Sequence, residues 1–259
     1  MVADLEAEWG MTLLERSKRG VCLTSAGEQV LPFLRKVLND HAELEGQICR
    51  INGIETGVVR IGTFASVAIH WLPNIFSALQ RDYPGFGYEM LLGDYDEVER
   101  WIGEGRVDCG FLRLPSAKSL CAHPLYRDEL LVVVPCGHQL ADAAAFPLSA
   151  LSAEPFIRLE EGRDYELTAA LDAMGVHPNV KYTAREDRTI LAMVSKGLGI
   201  SLLPELMVRR SPYPVAACHA PERFYRNIGI AVKDEKAQSA STRRFVDYVR
   251  RWVAENGED

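Results

Sequence analysis

The chain has 259 residues, of which 47% are hydrophobic and 25% charged, and a formal net charge of −7. That composition excludes a disordered chain and one that is basic throughout, and no run reaches the ~20 apolar residues of a bilayer crossing. The length is enough for one large core or two to three smaller ones.

Residues 2–9 have helical character, with Leu5 and Trp9 four apart and Gly10 placed to end the helix. Met11–Glu15 and Val21–Leu23 read as two strands joined by Ser17-Lys18-Arg19-Gly20, a connection of hairpin length. Arg16, Lys18 and Arg19 gather at its tip, although residues 1–56 carry 6 Lys/Arg against 9 Asp/Glu. Ser25-Ala26-Gly27-Glu28 fits a capping box, with Thr24 as the alternative cap.

In the helix that follows, Val30, Leu34, Val37, His41, Leu44, Ile48 and Ile51 are spaced alternately by four and three. This is a heptad seam of about three heptads, which calls for a partner helix and so for a dimer. The alternative, a core helix packed on its own chain, stays open on spacing alone. His41 is the seam's polar member and suits a wide, wet point of the interface better than a pH switch. Pro32 sits in the first turns, where proline costs least.

"NGIETG" (52–57) reads as a linker, and short strands then alternate with helices. Val58–Ile61 is a strand, Ser66–Arg81 an amphipathic helix, and Tyr88–Leu92 a strand. Asp94 caps a helix that runs through Ile102; Val107–Leu112 is a third strand, and "LLVVV" (130–134) is apolar enough for a sheet covered on both faces. This βαβαβ order predicts parallel strands with right-handed crossovers.

The rhythm restarts with strand Pro155–Leu159, helix Asp164–Met174, strand Val180–Thr183, helix Asp187–Lys196 and strand Ile200–Leu203. A last strand, Ile228–Val232, precedes a helix from Ser241 to about Glu255. Two α/β lobes joined by crossover strands follow, with a ligand cleft lined by the residues after each strand.

Those residues are the candidate ligand contacts. Thr63 and Ser66 combine hydroxyls with a helix start, which suits a carboxylate or phosphate; Ser66 can equally be a plain N-cap. Asp94 would disfavour an anion and meet an amine or hydroxyl, or serve only as a cap. Arg113 could pair bidentately with an acid or form a hinge salt bridge. Leu159, Glu160, Arg163, Glu186 and Asp187 are candidates by position in the second lobe.

Catalytic features are poor. Cys136 and His138 in "PCGHQL" would point to opposite faces of an extended segment. H-E-x-x-H, a Walker-type loop and G-x-S-x-G are absent from the sequence. The six scattered cysteines form no C-x-x-C pair, which fits reduced thiols better than disulfides or zinc. "MVADLEAEWGM" carries acids where a signal peptide carries bases. The expectation is a cytoplasmic protein that is not an enzyme, uses no cofactor or metal and meets no membrane.

"LLERSKRGVCLTSAGEQVLPFLRKVL" resembles the wing and linker helix of LysR-type transcriptional regulators, with Leu13, Leu14, Arg16, Leu23, Thr24, Ala26 and Gly27 matching that family's signature. "GVVRIGTF…LP", "GRVDCGFLRLP", "LYRDELLVVVPCGHQLA" and "MVSKGLGISLLP" are similar, in order and spacing, to its effector domain. The resemblance implies an α/β fold: a partial winged-helix remnant (1–24), a linker and dimerisation helix (25–56), and two lobes of periplasmic-binding-protein type 2 (57–135 with 228–259, and 136–227). It implies a ligand-responsive, DNA-binding regulator with a small effector, an organic acid being the candidate, between the lobes, and assembly as a dimer or tetramer. The family's winged helix-turn-helix begins some 45 residues upstream of where the likeness starts, so the head is expected to be truncated and DNA to be bound well by an intact form. Here the DNA contacts would come from Arg16, Lys18, Arg19 and Thr24, on the phosphate backbone. The seam would contribute Leu34, Val37, His41, Leu44, Ile48 and Ile51. A solute-binding or sensor protein without DNA binding is the alternative.

Overall fold

The computed structural model describes residues 2–17, 20–51, 57–160 and 170–257. Helix α1 (Val2–Trp9) ends at Gly10, whose φ of 65° suits glycine. Strands β1 (Leu14–Ser17) and β2 (Gly20–Leu23) pair antiparallel, with Leu14 opposite Leu23 and Ser17 opposite Gly20. Glu6 of α1 accepts the N–H groups of Leu13 and Leu14 at 2.6 and 3.0 Å, so the helix holds the start of the hairpin.

Helix α2 (Ser25–Ile51) begins one residue earlier than a Ser25 capping box requires. The cap is Thr24, whose Oγ1 accepts Gly27 N–H at 3.0 Å and donates to Thr12 O at 2.7 Å. A Cβ on Gly27 would stand 2.2 Å from Leu13 O, so glycine lets the helix press against the hairpin. The seam does not fold into the lobes: Val37 is 64% exposed, Leu44 58% and Ile48 48%. One ion pair, Arg35–Glu104 at 3.0 Å, fastens α2 to the first lobe.

Strands β3 (Gly57–Thr63), β4 (Phe86–Leu92) and β5 (Cys109–Leu114) form the parallel part of the main sheet, β3 lying between the other two. Helix α5 (Tyr95–Gly103) covers one face through Val98, Trp101 and Ile102. It sits close because residue 110 is glycine; a Cβ there would meet Val98 Cγ1 at 2.6 Å. The other face is covered by α4 (Leu72–Asp82) and α9 (Ala240–Asn256), with Leu72, Ile75, Phe111, Ile230, Phe245 and Val249 in the core.

The predicted single helix from Ser66 to Arg81 is two: α3 (Ala65–His70) and α4, broken at Trp71. Pro73, in the first turn of α4, has no N–H to return to the preceding turn.

The expected parallel order holds for β3, β4 and β5 and needs correction beyond them. The last strand, β11 (Phe224–Val232), inserts antiparallel between β5 and β6 (Cys121–Pro135). β6 is far longer than the apolar run at 130–134. Its first half pairs β11 with a shift of register where Gly229 faces Pro124, since proline offers no ladder N–H. Its second half pairs β9 (Ser201–Pro204) and β10 (Val215–Cys218). Thus β6 runs through both lobes.

In the second lobe Val132 and Val134 point into one apolar cluster and Val133 into another, so this stretch is covered on both faces. β7 (Pro155–Leu159) pairs β8 (Asn179–Ala184) in parallel. Helices α6 (Ala150–Ala153), α7 (Asp187–Ser195) and α8 (Glu205–Val208) complete the lobe. The expected helix 164–174 falls largely outside the described residues; positions 170–173 are helical.

Replacing Phe245, fully buried where α9 meets the sheet, by Ala should lower unfolding stability by about 3–5 kcal/mol in a urea titration.

Candidate functional site

Where β6 and β11 cross between the lobes, Arg226 stands directly opposite Asp128 in the strand register. Both side chains are buried, and the guanidinium Nε and Nη2 reach Asp128 Oδ2 at 2.8 and 2.6 Å. Nη2 also donates to Ser66 Oγ at 2.7 Å and Nη1 to Tyr95 Oη at 2.8 Å. The Arg226 Cζ stands over the Phe64 ring, 5.2 Å from its centroid, and that ring packs edge-on against Tyr95 at 4.9 Å. Asp128 Oδ1 accepts the backbone N–H of Leu206 in α8 at 3.1 Å. One ion pair therefore gathers α3, α5, both crossover strands and a helix of the second lobe.

Asp187, first residue of α7, is buried on the other side. Its Oδ1 has no hydrogen-bond partner among the described residues. Burial pushes its carboxyl up to about 6; Arg226 pulls it down and Asp128 pushes it further up. Burial raises the Asp128 carboxyl as well, against the pull of Arg226.

Beside this floor lies a cavity of about 180 Å³ between the lobes. Tyr95 and Arg113 line it from the first lobe, Arg226 from the crossover strand β11, and Phe156, Arg158, Leu159 and His177 from the second. His177 Nδ1 is 3.1 Å from Asp172 Oδ1 at the rim. Arg113 and Arg158 line the cavity together with Asp172 and apolar side chains, while the charge of Arg226 is met by Asp128; two cations against one lining acid suit an anion with an apolar body.

The structure separates the expected contacts. Arg113 and Leu159 line the cavity. Ser66 is at the floor, but its hydroxyl is taken by Arg226. Thr63 is fully buried, with its hydroxyl 3.4 Å from Phe64 O. Asp94 is committed to a capping box, accepting Glu97 N–H at 2.8 Å while Glu97 accepts Asp94 N–H at 3.1 Å. Glu160 and Glu186 are exposed and do not line the cavity; Glu160 falls one residue past Leu159, which does, and Glu186 one residue before the buried Asp187.

Arg163 lies outside the described residues, as do Lys18, Arg19 and the side chains of Arg16 and Ile51. Thr24 is occupied as the α2 cap. Sequence reasoning missed Asp128, Arg226, Tyr95, Arg158 and His177. The signal for the first two was a charge embedded in each of two strands, "YRDELLVVV" and "FYRNIGIAV".

The buried acid gives a pH test. Folded Asp187 keeps its proton to about 6, whereas an unfolded Asp releases it near about 4. Folding therefore takes up a proton in that window, and the contribution to stability falls as pH rises through it. Asp187→Asn should be more stable than the parent at about pH 7, the gap closing below about pH 4 in thermal melts; an offset constant with pH would contradict the assignment.

The family model described as the LysR substrate binding domain matches residues 52–254. A probable HTH-type transcriptional regulator, LrrA of Synechococcus elongatus, is 31% identical over 261 residues, covering 98% of this chain and 86% of that protein. The crystal structure of HinK, a LysR family transcriptional regulator from Pseudomonas aeruginosa, superposes with a TM-score of 0.70 at 25% identity over 97% of this chain and 86% of that one. The regulatory domain of CcmR from Synechocystis PCC6803, solved in complex with 2-PG, gives a TM-score of 0.72 over 78% of this chain and 99% of that one; at 19% identity it shows a shared fold. The two-lobed α/β body is thus an effector-binding domain of the periplasmic-binding-protein type 2 fold, and the chain belongs to the LysR family of transcriptional regulators.

Proposed function

We propose that this chain is a ligand-responsive regulator of transcription whose effector is a small organic acid held between the lobes. The observation that carries this is the cationic lining of the cleft. Arg113 arrives from the end of β5 and Arg158 from β7, on opposite sides of one cavity with apolar walls. A carboxylate bridging them would draw the lobes together, shifting the population toward a closed form. The regulatory domain of CcmR, on the same fold, was solved in complex with 2-PG, which supports a small ligand for this fold.

The remaining parts fit this reading. The hairpin that carries Arg16, Lys18 and Arg19 would touch the phosphate backbone, and Thr24 would set its angle on α2. The seam Leu34, Val37, His41, Leu44, Ile48 and Ile51 would pair with a second copy, so that lobe closure alters the packing of the copies and the spacing of their DNA-binding heads. The division into 1–24, 25–56, 57–135 with 228–259, and 136–227 belongs to the same proposal, with β6 shared by both lobes.

A thermal-shift screen of small carboxylic acids should find a stabilising compound. Its affinity should fall at least tenfold in the double variant Arg113→Ala, Arg158→Ala; unchanged affinity for every stabilising acid would overturn the cleft assignment. Leu44→Glu with Ile48→Glu should convert the assembly to monomers in sedimentation velocity, at unchanged melting temperature of the lobes.

A further inference from the structure

Inside the cleft, one lining residue has the wrong charge for an anion. Asp172 stands on the cavity wall beside Leu171, with His177 next to it at the rim. Residues 170–173 are helical, and Gly175, with a φ of 69°, ends the turn: its N–H donates to Asp172 O and Val176 N–H to Leu171 O, each at 2.9 Å. The carbonyl end of a helix disfavours a carboxylate, so Asp172 contributes nothing to the helix that carries it. His177 Nδ1, 3.1 Å from Asp172 Oδ1, is the donor of that pair, because a carboxylate only accepts. Asp172 Oδ2 has no hydrogen-bond partner among the described residues.

Arg158 shows the complementary feature. It follows Phe156 by two residues on β7, and both line the cavity. Among the described residues it makes no hydrogen bond and no ion pair. The cavity thus offers a guanidinium with open donors and a carboxylate with an open oxygen, set among Leu130, Phe156, Leu171 and Leu202. A plain acid answers only the first. Closure of the lobes over it would cover Asp172 without a donor, which is costly for a charged acceptor.

We infer that the effector carries a hydrogen-bond donor, a hydroxyl or an ammonium, besides its carboxylate, and that Asp172, held by His177, selects for it. This selectivity rests on the reading above, in which an acid binds between the lobes, and adds the second functional group of that acid. Arg158 takes the carboxylate, Asp172 Oδ2 accepts the donor, and the leucines and Phe156 meet the carbon body.

The carboxylic-acid screen, run on the full chain as matched series and followed by calorimetry, tests this. Benzoate, 3-hydroxybenzoate and 3-(aminomethyl)benzoate form one series; butanoate, 3-hydroxybutanoate and 3-aminobutanoate form another. Among the acids that bind, the donor-bearing member should bind about tenfold tighter than its plain partner. Asp172→Ala should close that gap to within about twofold, with the plain acid held as before and circular dichroism unchanged. Asp172→Asn keeps an acceptor without the charge, so it should preserve a gap that comes from a hydroxyl and abolish one that comes from an ammonium. Plain acids bound as tightly as their donor-bearing partners, or a gap that survives Asp172→Ala, would overturn the selectivity and leave the cleft reading standing. No stabilising acid in any series would overturn the cleft reading, and this selectivity with it.

Discussion

The fold of this regulator turns on one buried ion pair. Asp128 and Arg226 face each other across the two strands that join the lobes, and both are buried. Removing two charges from solvent costs several kcal/mol each unless the geometry returns it. Here every partner is supplied by a different element: Ser66 by α3, Tyr95 by α5, Leu206 N–H by α8 and the Phe64 face by the end of β3. The pair therefore contributes position more than energy. It fixes where each lobe starts relative to the strands that connect them, and with that the shape of the cleft.

The same site is unbalanced. Asp187 brings a second buried carboxylate toward a single guanidinium, and one of its oxygens is unsatisfied. A strained electrostatic balance at the meeting point of two lobes is what a two-state device needs, since small changes in charge or contact then bias one closure over another. Arg113 and Arg158 line the same cavity as Arg226, so in the proposed mechanism closure and charge would be coupled.

Much of the architecture was legible from the sequence because it rests on local rules. The long helix α2, the glycine after α1 and the double-faced burial of 130–134 all follow from spacing and residue type. The break at Trp71 was readable in Pro73 but was masked by the continuous amphipathic pattern around it. The insertion of β11 between β5 and β6 was not legible, because a strand over 90 residues away in the chain carries no local mark of its neighbours. The site divides along the same line. Arg113 and Leu159 follow from the rule that ligands bind after strand ends. Asp128 and Arg226 lie inside strands, and only their cross-strand register explains them. Asp94 illustrates the reverse: a polar residue after a strand whose carboxylate serves the helix it begins.

A double-mutant cycle across the crossover strands tests the central claim most directly. Arg226→Met should lose about 3–5 kcal/mol of unfolding stability, because it leaves the Asp128 carboxylate buried without its partner, and Asp128→Leu less, because Asp187 still faces Arg226. The double variant should lose far less than the two combined, since it strands neither. Additive losses in the double variant would mean that the two charges act independently, and would contradict the account.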